Sequence, residues 1–307
     1  MNKKKRLLLV VAIGLLAGPI AAQPQTNYQF FVGPDSDNIQ VFGINDRGDV
    51  VAIGDGGSFV YDSKKGTLTD VTPATGHAFT NVLGISDSGV MVGSVDNLDG
   101  TTRSGFIRST HGTYTVFDHP DAVFSTNPRG INNNALVTGF RDDLSAIGVG
   151  FIYDSKSGTF TDLNPTSFFT IAQGINSNGE VVGSSNFDGA NDPCPGLGNP
   201  FLRYGWLRAT DGTVTYFEVN GSHTSARGIN DNGSIVGFFL DSDDGIFKGY
   251  KARLDGSQCQ SVTVGPSDIL YVPGSGSNFV QGISNSGVIS GGAEIGSSSP
   301  GYVATPR

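Results

Sequence analysis

Two arginines stand at corresponding positions of a repeated phrase, where they could hold an anion. Arg129 precedes "GINNNALVTGFR" and Arg227 precedes "GINDNGSIVGFF", while Gln173 and Gln281 hold the same position in two other copies. A guanidinium offers a planar fork of N–H donors that matches a carboxylate. The arginines are therefore candidate ligands for an anionic sugar or carboxylate. The alternative is that they pair with nearby Asp residues or line a hydrated channel.

Three of the four histidines, His77, His119 and His223, fall in the connections from one repeat unit to the next, whereas His111 falls in a turn within a unit. Imidazole groups can bind a metal ion or transfer protons near neutral pH. The copies concerned are spaced unevenly along the chain, so the three rings need not converge. The pattern favours solvated surface histidines, with a metal or acid–base site as the alternative.

Aspartates recur in pairs and triplets inside the repeats. The residues in these groups are Asp96, Asp99, Asp142, Asp143, Asp188, Asp192, Asp241, Asp243 and Asp244. The stretch "DSDDG" (241–245) resembles the start of a calcium loop, but the distal bidentate Glu is missing. Turn capping is the favoured interpretation. Weak calcium binding by Asp96, Asp99, Asp241 and Asp243 is the alternative, and no other cofactor is expected.

Motifs of common hydrolases and nucleotide-binding enzymes are absent from the sequence. It contains no GxSxG, HExxH, P-loop or CxxC, and three of its 28 acidic residues are Glu. A glycosidase built on this chain would therefore have to use Asp pairs. Enzyme activity remains an alternative, because a fold can build a site from residues scattered along the chain.

These residues belong to a sixfold repeat. The phrase begins at glycines spaced 41 to 54 residues apart: Gly43, Gly84, Gly130, Gly174, Gly228 and Gly282. Short runs of Val, Ile, Thr and aromatic residues, joined by turns ending in Gly, are typical of β-hairpins. Two hairpins in a unit of about 45 residues match the period of a β-propeller blade. The sequence predicts an all-β, six-bladed β-propeller of four-stranded antiparallel blades.

The last copy stops after its third strand, and the N-terminus offers the missing one. The stretch "NYQFFVGPD" (27–35) resembles "QSVTVGPSD" (260–268), which the repeat predicts to be the fourth strand of blade five. We therefore expect the N-terminal strand to complete the last blade and close the ring. A parallel β-helix is the rival fold, although its rungs are shorter and it needs no exchanged strand.

The phrase G-I-[N/S]-x-x-G-x-V-V-G resembles the extracellular HAF-repeat family of bacterial proteins. The resemblance covers nearly all of the chain after residue 22. It implies export and a propeller-like fold, and it implies no established activity. The His-Ala-Phe that names the family is missing from the third strands, where the aromatic residue alone is kept. The literal His77-Ala78-Phe79 lies in a different phase of the repeat.

Residues 1–22 have the pattern of a cleaved secretory signal peptide. A basic head is followed by an apolar run (7–16) and by the small residues Ala21 and Ala22. The run is too short to span a bilayer; an uncleaved anchor is the alternative. We expect residues 23–307 to form one secreted propeller domain, extracellular or periplasmic, without a membrane span. There Cys194 and Cys259 could form a disulfide, which requires their Cα atoms to lie within about 7 Å.

Charge and loop lengths indicate the kind of partner. Loss of four basic residues with the signal changes the net charge from −9 to −13, which argues against nucleic acid or anionic lipid. The connections at one face vary in length, and such loops usually bind. We expect a monomeric, non-catalytic protein that binds a carbohydrate, peptide or protein at this face. A hydrolase or lyase of extracellular polysaccharide and a purely structural extracellular module are the alternatives.

Overall fold

The computed structural model describes six separate stretches of the chain. They are residues 26–142, 148–163, 169–187, 191–197, 203–265 and 267–305. The predicted signal peptide, Asp143 and Asp188 lie outside these described residues. Within them no helix is long and apolar enough to cross a membrane.

Twenty-five strands make up six sheets in this part of the chain, numbered here as blades I to VI in sequence order. The first strand, β1 (Asn27–Phe31), belongs to blade VI. Blade I contains β2 (Gln40–Ile44), β3 (Asp49–Gly54), β4 (Gly57–Asp62) and β5 (Thr67–Asp70). Blade II contains β6 (Phe79–Ile85), β7 (Met91–Asp96), β8 (Arg103–Arg108) and β9 (Tyr114–Phe117). Blade III contains β10 (Thr126–Ile131), β11 (Leu136–Asp142), β12 (Gly148–Asp154) and β13 (Thr159–Leu163).

The second half of the ring carries the irregular blades. Blade IV contains β14 (Phe169–Ile175), β15 (Val181–Asn186), a 3-10 turn (Pro195–Leu197), β16 (Arg203–Arg208) and β17 (Val214–Val219). Blade V begins with β18 (Thr224–Ile229), β19 (Ile235–Leu240) and β20 (Phe247–Ala252). Two short strands follow, β21 (Cys259–Val262) and β22 (Ile269–Leu270). Blade VI contains β23 (Asn278–Ile283), β24 (Ile289–Ala293) and β25 (Gly301–Thr305).

The ring closes as the sequence predicts. β1 pairs antiparallel with β25, from Asn27 opposite Thr305 to Phe31 opposite Gly301. The innermost strand of blade VI, β23, contacts the innermost strand of blade I, β2. Phe31 is 2% exposed, and its ring stacks on Tyr61 of blade I with centroids 4.2 Å apart. The prediction of six blades closed by the N-terminal strand is therefore confirmed.

One strand lies in a different blade from the one predicted. β21, from the segment expected to be the fourth strand of blade V, pairs in parallel with β17 and becomes a fifth strand of blade IV. The fourth strand of blade V is instead β22. A disulfide between Cys194 and Cys259, whose Cα atoms lie 5.7 Å apart, links β21 to the connection between β15 and β16. The parallel ladder and the covalent bond together hold this segment on the neighbouring blade.

The first glycine of the repeated phrase is required by close approach at the axis in every copy but the first, where a Cβ on Gly43 would lie 3.5 Å from its nearest contact. A Cβ added to Gly84 would lie 2.6 Å from the carbonyl oxygen of Arg129, and one added to Gly130 would lie 2.8 Å from that of Gln173. At Gly174 the same atom would lie 2.7 Å from the carbonyl oxygen of Arg227. Any side chain here would push neighbouring blades apart. The phrase therefore keeps its glycine because the innermost strands pack backbone against backbone.

The asparagine of the phrase, present in four of the six copies, joins its blade to the next; the other two copies have Ser86 and Ser284 there. Asn132 Oδ1 accepts hydrogen bonds from the backbone N–H groups of Asn134 and Leu136, which closes its own turn. Its Nδ2 donates to the carbonyl of Asn176 in the following blade, at 3.0 Å. The same donation runs from Asn45 to Ser86, from Asn176 to Asn230 and from Asn230 to Ser284. The repeated phrase thus stabilises the contacts between neighbouring blades of the ring.

The core lies between blades and is filled by the aromatic residue of each third strand. These residues are 0 to 3% exposed: Phe59, Phe106, Phe151, Trp206, Tyr250 and Tyr302. Around them pack Val and Ile side chains from the first and second strands. Burial of one such aromatic contributes about 1.5–3 kcal/mol relative to exposure. The rigid ring that results holds the residues at the axis in fixed positions.

Candidate functional site

The ring has two unlike ends. The turn face carries the short turns within hairpins, such as Asn45–Gly48. The loop face carries the connections between second and third strands and those between blades, which differ in length. Binding sites on rigid scaffolds are usually formed by such variable connections. The loop face is therefore where a site is expected.

A narrow channel of about 90 Å³ runs between the innermost strands. Each blade contributes the residue before the repeated Gly, the Gly itself and the following Ile. The residues before the Gly are Phe42, Leu83, Arg129, Gln173, Arg227 and Gln281. Among the described residues that line the channel there is no carboxylate and no histidine. The channel therefore carries two positive charges in a chain whose net charge is negative.

A β-bulge directs these side chains towards the axis. In β10 the pairing with β11 shifts between Pro128 and Gly130, so that Arg129 is the extra, unpaired residue. The same shift between Ala226 and Gly228 frees Arg227 in β18. A bulge re-aims the side chain of the residue it inserts. The sequence predicted a polar position next to the axis, and the bulge is the reason why it faces the channel.

Each of the two arginines lies over a phenylalanine of the adjacent strand. Arg129 Cζ lies 5.4 Å from the ring centroid of Phe140, and Arg227 Cζ lies 4.7 Å from that of Phe238. Within the described part of the chain neither guanidinium forms an ion pair or a hydrogen bond, and the Nε of each is buried without a partner. The rings thus position the guanidinium groups while leaving their N–H donors unused.

The pKa values reflect this unpaired burial. Burial lowers the pKa of Arg129 to about 10, with a smaller contribution from the charge of Arg103. Burial lowers the pKa of Arg227 to about 9, followed by the charges of Arg129 and Arg203. Both groups remain protonated at neutral pH, since guanidinium holds its proton strongly. The result is a positive site whose charges repel one another.

A larger pocket of about 580 Å³ opens on the loop face above blades I to III. Three of its lining residues, Phe42, Leu83 and Arg129, also line the channel, so the two spaces meet there. Much of the remaining lining is polar, and it includes Asn38, Gln40, Asp55, Asn81, Arg103 and Asn127. The volume falls in the range of about 300–1,000 Å³ that is usual for small-ligand sites.

The three predicted histidines do not form a joint site. His77 Nδ1 lies 3.1 Å from Asn97 Oδ1 between blades I and II, and His223 is exposed and accepts a hydrogen bond from the Arg203 backbone between blades IV and V. His119 is 4% exposed, so the expectation of a solvated surface residue is wrong for it. Its burial results from packing against Phe160, with ring centroids 4.4 Å apart. Burial lowers the pKa of His119. Partial desolvation of the ring and then the charge of Arg203 lower the pKa of His223.

His119, Asp121 and Asp162 are close enough together to be considered as a metal site. His119 Nδ1 accepts a hydrogen bond from the Asp121 backbone N–H at 3.1 Å, so the proton of the neutral ring lies on Nε2. Nε2 faces Asp162 Oδ1 at 3.0 Å, and Arg141 also donates to Asp162, at 2.7 Å. A metal would have to displace this proton beside a guanidinium. The group is better explained as a structural pair between the buried His119 and the exposed Asp162.

The aspartates predicted as alternative calcium ligands are used within their own loops. Asp96 pairs with Arg103 at 2.6 Å, and Asp241 pairs with Lys248 at 2.7 Å while accepting from the Asp243 backbone N–H. Asp99 accepts from Thr102 and Thr101, and these hydrogen bonds lower its pKa to about 2. The structure therefore places these residues as turn caps and ion-pair partners.

Sequence reasoning did not identify the phenylalanines beneath the arginines, although a signal existed. The residue after the second-strand glycine is Phe in the copies that contain Arg129 and Arg227. In the copies with Gln173 and Gln281 the same position holds Ser184 and Gly292. Arginine and phenylalanine therefore occur together within the repeats. This coupling could have been read by aligning the six copies.

Comparison with known proteins supports the fold. No family model matches the chain, and no curated protein matches it in sequence. The resemblance to HAF-repeat proteins accordingly stays a prediction from the repeated phrase.

Several solved structures are similar in shape. TolB from Acinetobacter baumannii aligns with a TM-score of 0.52 and 12% identity, covering 70% of this chain and 52% of that one. This chain thus spans about half the length of the TolB structure. A catalytically inactive virginiamycin B lyase from Staphylococcus aureus, crystallised with quinupristin, aligns with a TM-score of 0.48 and 11% identity over 92% of this chain and 100% of the other. At 12% identity the likeness to TolB shows the fold alone, a β-propeller. The number of blades comes from the six sheets of this chain.

Proposed function

We propose that this protein is an exported, non-catalytic β-propeller that binds a carbohydrate, peptide or protein at its loop face. The observation that carries the proposal is the pocket of about 580 Å³, which opens on that face and meets the axial channel at Arg129. Its polar lining offers hydrogen-bond donors and acceptors on a rigid ring. Preorganised donors of this kind reduce the entropy lost when a ligand binds.

Export is supported by two independent features. The N-terminal residues have the pattern of a secretory signal. The bond between Cys194 and Cys259 is compatible with an oxidising compartment outside the cytoplasm. Together they favour a periplasmic or extracellular location.

Binding is favoured over hydrolysis by the composition of the pocket. A glycosidase needs two carboxyl groups on either side of the scissile bond. Among the described residues that line the loop-face pocket, Asp55 is the one carboxylate. A hydrolase or lyase remains the second candidate, and a pair of acidic groups that reacts with substrate would be required to support it.

The proposal can be tested with a variant that fills the pocket. We expect the mature protein to bind a subset of a combined glycan and peptide array. Replacing Asn81→Trp, in the lining, should abolish that binding because the indole occupies the space of the ligand. Thr115→Trp is the matched control, since Thr115 is exposed on the outermost strand of blade II.

The outcomes separate clearly. Binding that is lost in Asn81→Trp and kept in Thr115→Trp supports the pocket. Equal binding by both variants, each melting as the parent does, would exclude it. Turnover of an array compound by the parent would replace the binding proposal with the enzymatic one.

A further inference from the structure

The axial channel concentrates positive charge without an anion to balance it. Arg129 and Arg227 both line it, and the charge of Arg129 contributes to the lowered pKa of Arg227. Arg103 and Arg203 add to the field from the third strands of blades II and IV. Both arginines are half-buried, and even a partial loss of contact with water costs a charge free energy unless a partner of opposite sign is present. A chain with 28 acidic residues has many carboxylates to offer, and none of those described lines this channel.

The arginines are held in place as a binding group would be. Each is the inserted residue of a bulge, and each lies over a phenylalanine that occurs in these two copies of the repeat. The phenylalanines restrict the guanidinium groups and offer no hydrogen-bond acceptor. A purely structural arginine is usually paired with carboxylates or carbonyls. The arrangement therefore leaves the N–H donors of two fixed guanidinium groups beside the axial channel.

The size of the channel limits what can enter. At about 90 Å³ the channel has much less room than the loop-face pocket of about 580 Å³. A carboxylate group fits such a space and a sugar ring does not. Because Arg129 lines both spaces, the body of the ligand would remain in the loop-face pocket while its anionic group reaches the channel.

The pocket lining favours a saccharide as the body of that ligand. It contains the side-chain amides of Asn38, Gln40, Asn81 and Asn127. The side chains of Gln40 and Asn81 form no hydrogen bond within the described part of the chain. Amide groups offer both a donor and an acceptor, which suits vicinal hydroxyl groups.

We propose that Arg129 and Arg227 together bind the carboxylate of an acidic saccharide whose rings lie in the loop-face pocket. Gln173, in the blade between the two arginines, adds a third polar group from the same channel. This inference rests on the proposed function, because it names the class of ligand that the pocket takes.

Calorimetry with short uronic-acid oligosaccharides tests the proposal. Arg129→Gln and Arg227→Gln should each weaken binding by about tenfold, the usual effect of removing a charge-assisted hydrogen bond. The double variant should bind as weakly as the parent binds the methyl-esterified oligosaccharide. Both variants should fold, because Gln173 and Gln281 already occupy equivalent positions.

Arg108→Gln is the matched control. Arg108 also has a buried Nε without a partner and lies over an aromatic ring, Tyr114, at 5.6 Å, but it does not line the channel or the pocket. The Arg108→Gln variant should bind the uronate as the parent does. A loss of affinity equal to that of Arg129→Gln would show that removing any stacked arginine has this effect and would overturn the proposal.

The remaining outcomes distinguish this inference from the proposed function. If Asn81→Trp abolishes uronate binding while the double variant binds like the parent, the pocket stands and the arginine pair does not. If the parent binds peptides with a free C-terminal carboxylate and no uronate, the assignment of a saccharide as the ligand is wrong. Equal affinity of the parent for the acidic and the esterified oligosaccharide would also overturn the role of the carboxylate.

Discussion

At the scale of single residues, one copy of the repeat lacks the glycine that a positive φ favours. The turn between first and second strands ends in a glycine with positive φ in five copies: Gly48, Gly89, Gly179, Gly233 and Gly287. Blade III has Ala135 there, with φ of 67°. A side chain in this conformation is strained, because its Cβ approaches the neighbouring carbonyl oxygen.

Replacing Ala135→Gly should stabilise the protein. The gain is expected to be about 0.5–1 kcal/mol, the strain relieved less the greater freedom of glycine in the unfolded chain. Chemical denaturation of parent and variant measures it. Asn220→Gly is the contrasting control: Asn220 has φ of 53°, but its Oδ1 accepts a hydrogen bond from the Val264 backbone, so its replacement should give no gain. A lower midpoint for Ala135→Gly would contradict the argument.

The candidate site was predictable at this scale in part. The position before the repeated glycine was identified from its polar residues, and the structure places all six of these residues along the channel. The sequence did not predict the pairing of each arginine with a phenylalanine, nor the depth of the loop-face pocket. Each arginine–phenylalanine pair joins the two strands of one hairpin, and the pocket depends on contacts between blades. The pattern within a single strand reports neither.

At the scale of elements, most strands follow from local pattern, and β21 shows where that pattern fails. Alternating Val, Ile and Thr with glycine turns predicts the first three strands of each blade. The segment "QCQSV" has equal propensity to pair with either neighbouring blade, since propensity alone does not choose a partner. The disulfide and the ladder to β17 decide the outcome.

Replacing both cysteines by serine should therefore weaken blade IV. The bond joins residues 65 apart in sequence, and loss of such a link is expected to cost about 2–4 kcal/mol by widening the unfolded ensemble. Urea denaturation with and without reductant measures the effect. Reductant should destabilise the parent and leave the double serine variant unchanged. Identical midpoints for parent and variant would show that the ladder between β17 and β21 suffices without the bond.

At the scale of the whole molecule, the ring needs its two ends to meet in one blade. Closure was predictable because the last copy of the repeat lacks a strand and the N-terminus has one to offer. The match of "NYQFFVGPD" to "QSVTVGPSD" led to the correct blade, although the second segment itself lies in blade IV as β21. The prediction of closure was correct because both segments alternate polar and apolar residues, as an outermost strand does.

Removing residues 23–35 should open the ring. The deletion takes away β1, including Phe31 and its stacking on Tyr61, and it leaves β25 with an unpaired edge. Loss of one buried phenylalanine alone costs about 3–5 kcal/mol, so the truncated protein should melt well below the parent. It should also self-associate through the exposed edge, which size-exclusion chromatography would detect.

Removing residues 23–26 is the control, because β1 begins at Asn27 and stays in place. A synthetic peptide of residues 26–35 should restore the melting temperature by pairing with β25. If the truncated protein melts at the parent temperature, closure through the N-terminal strand is not what holds the six blades together.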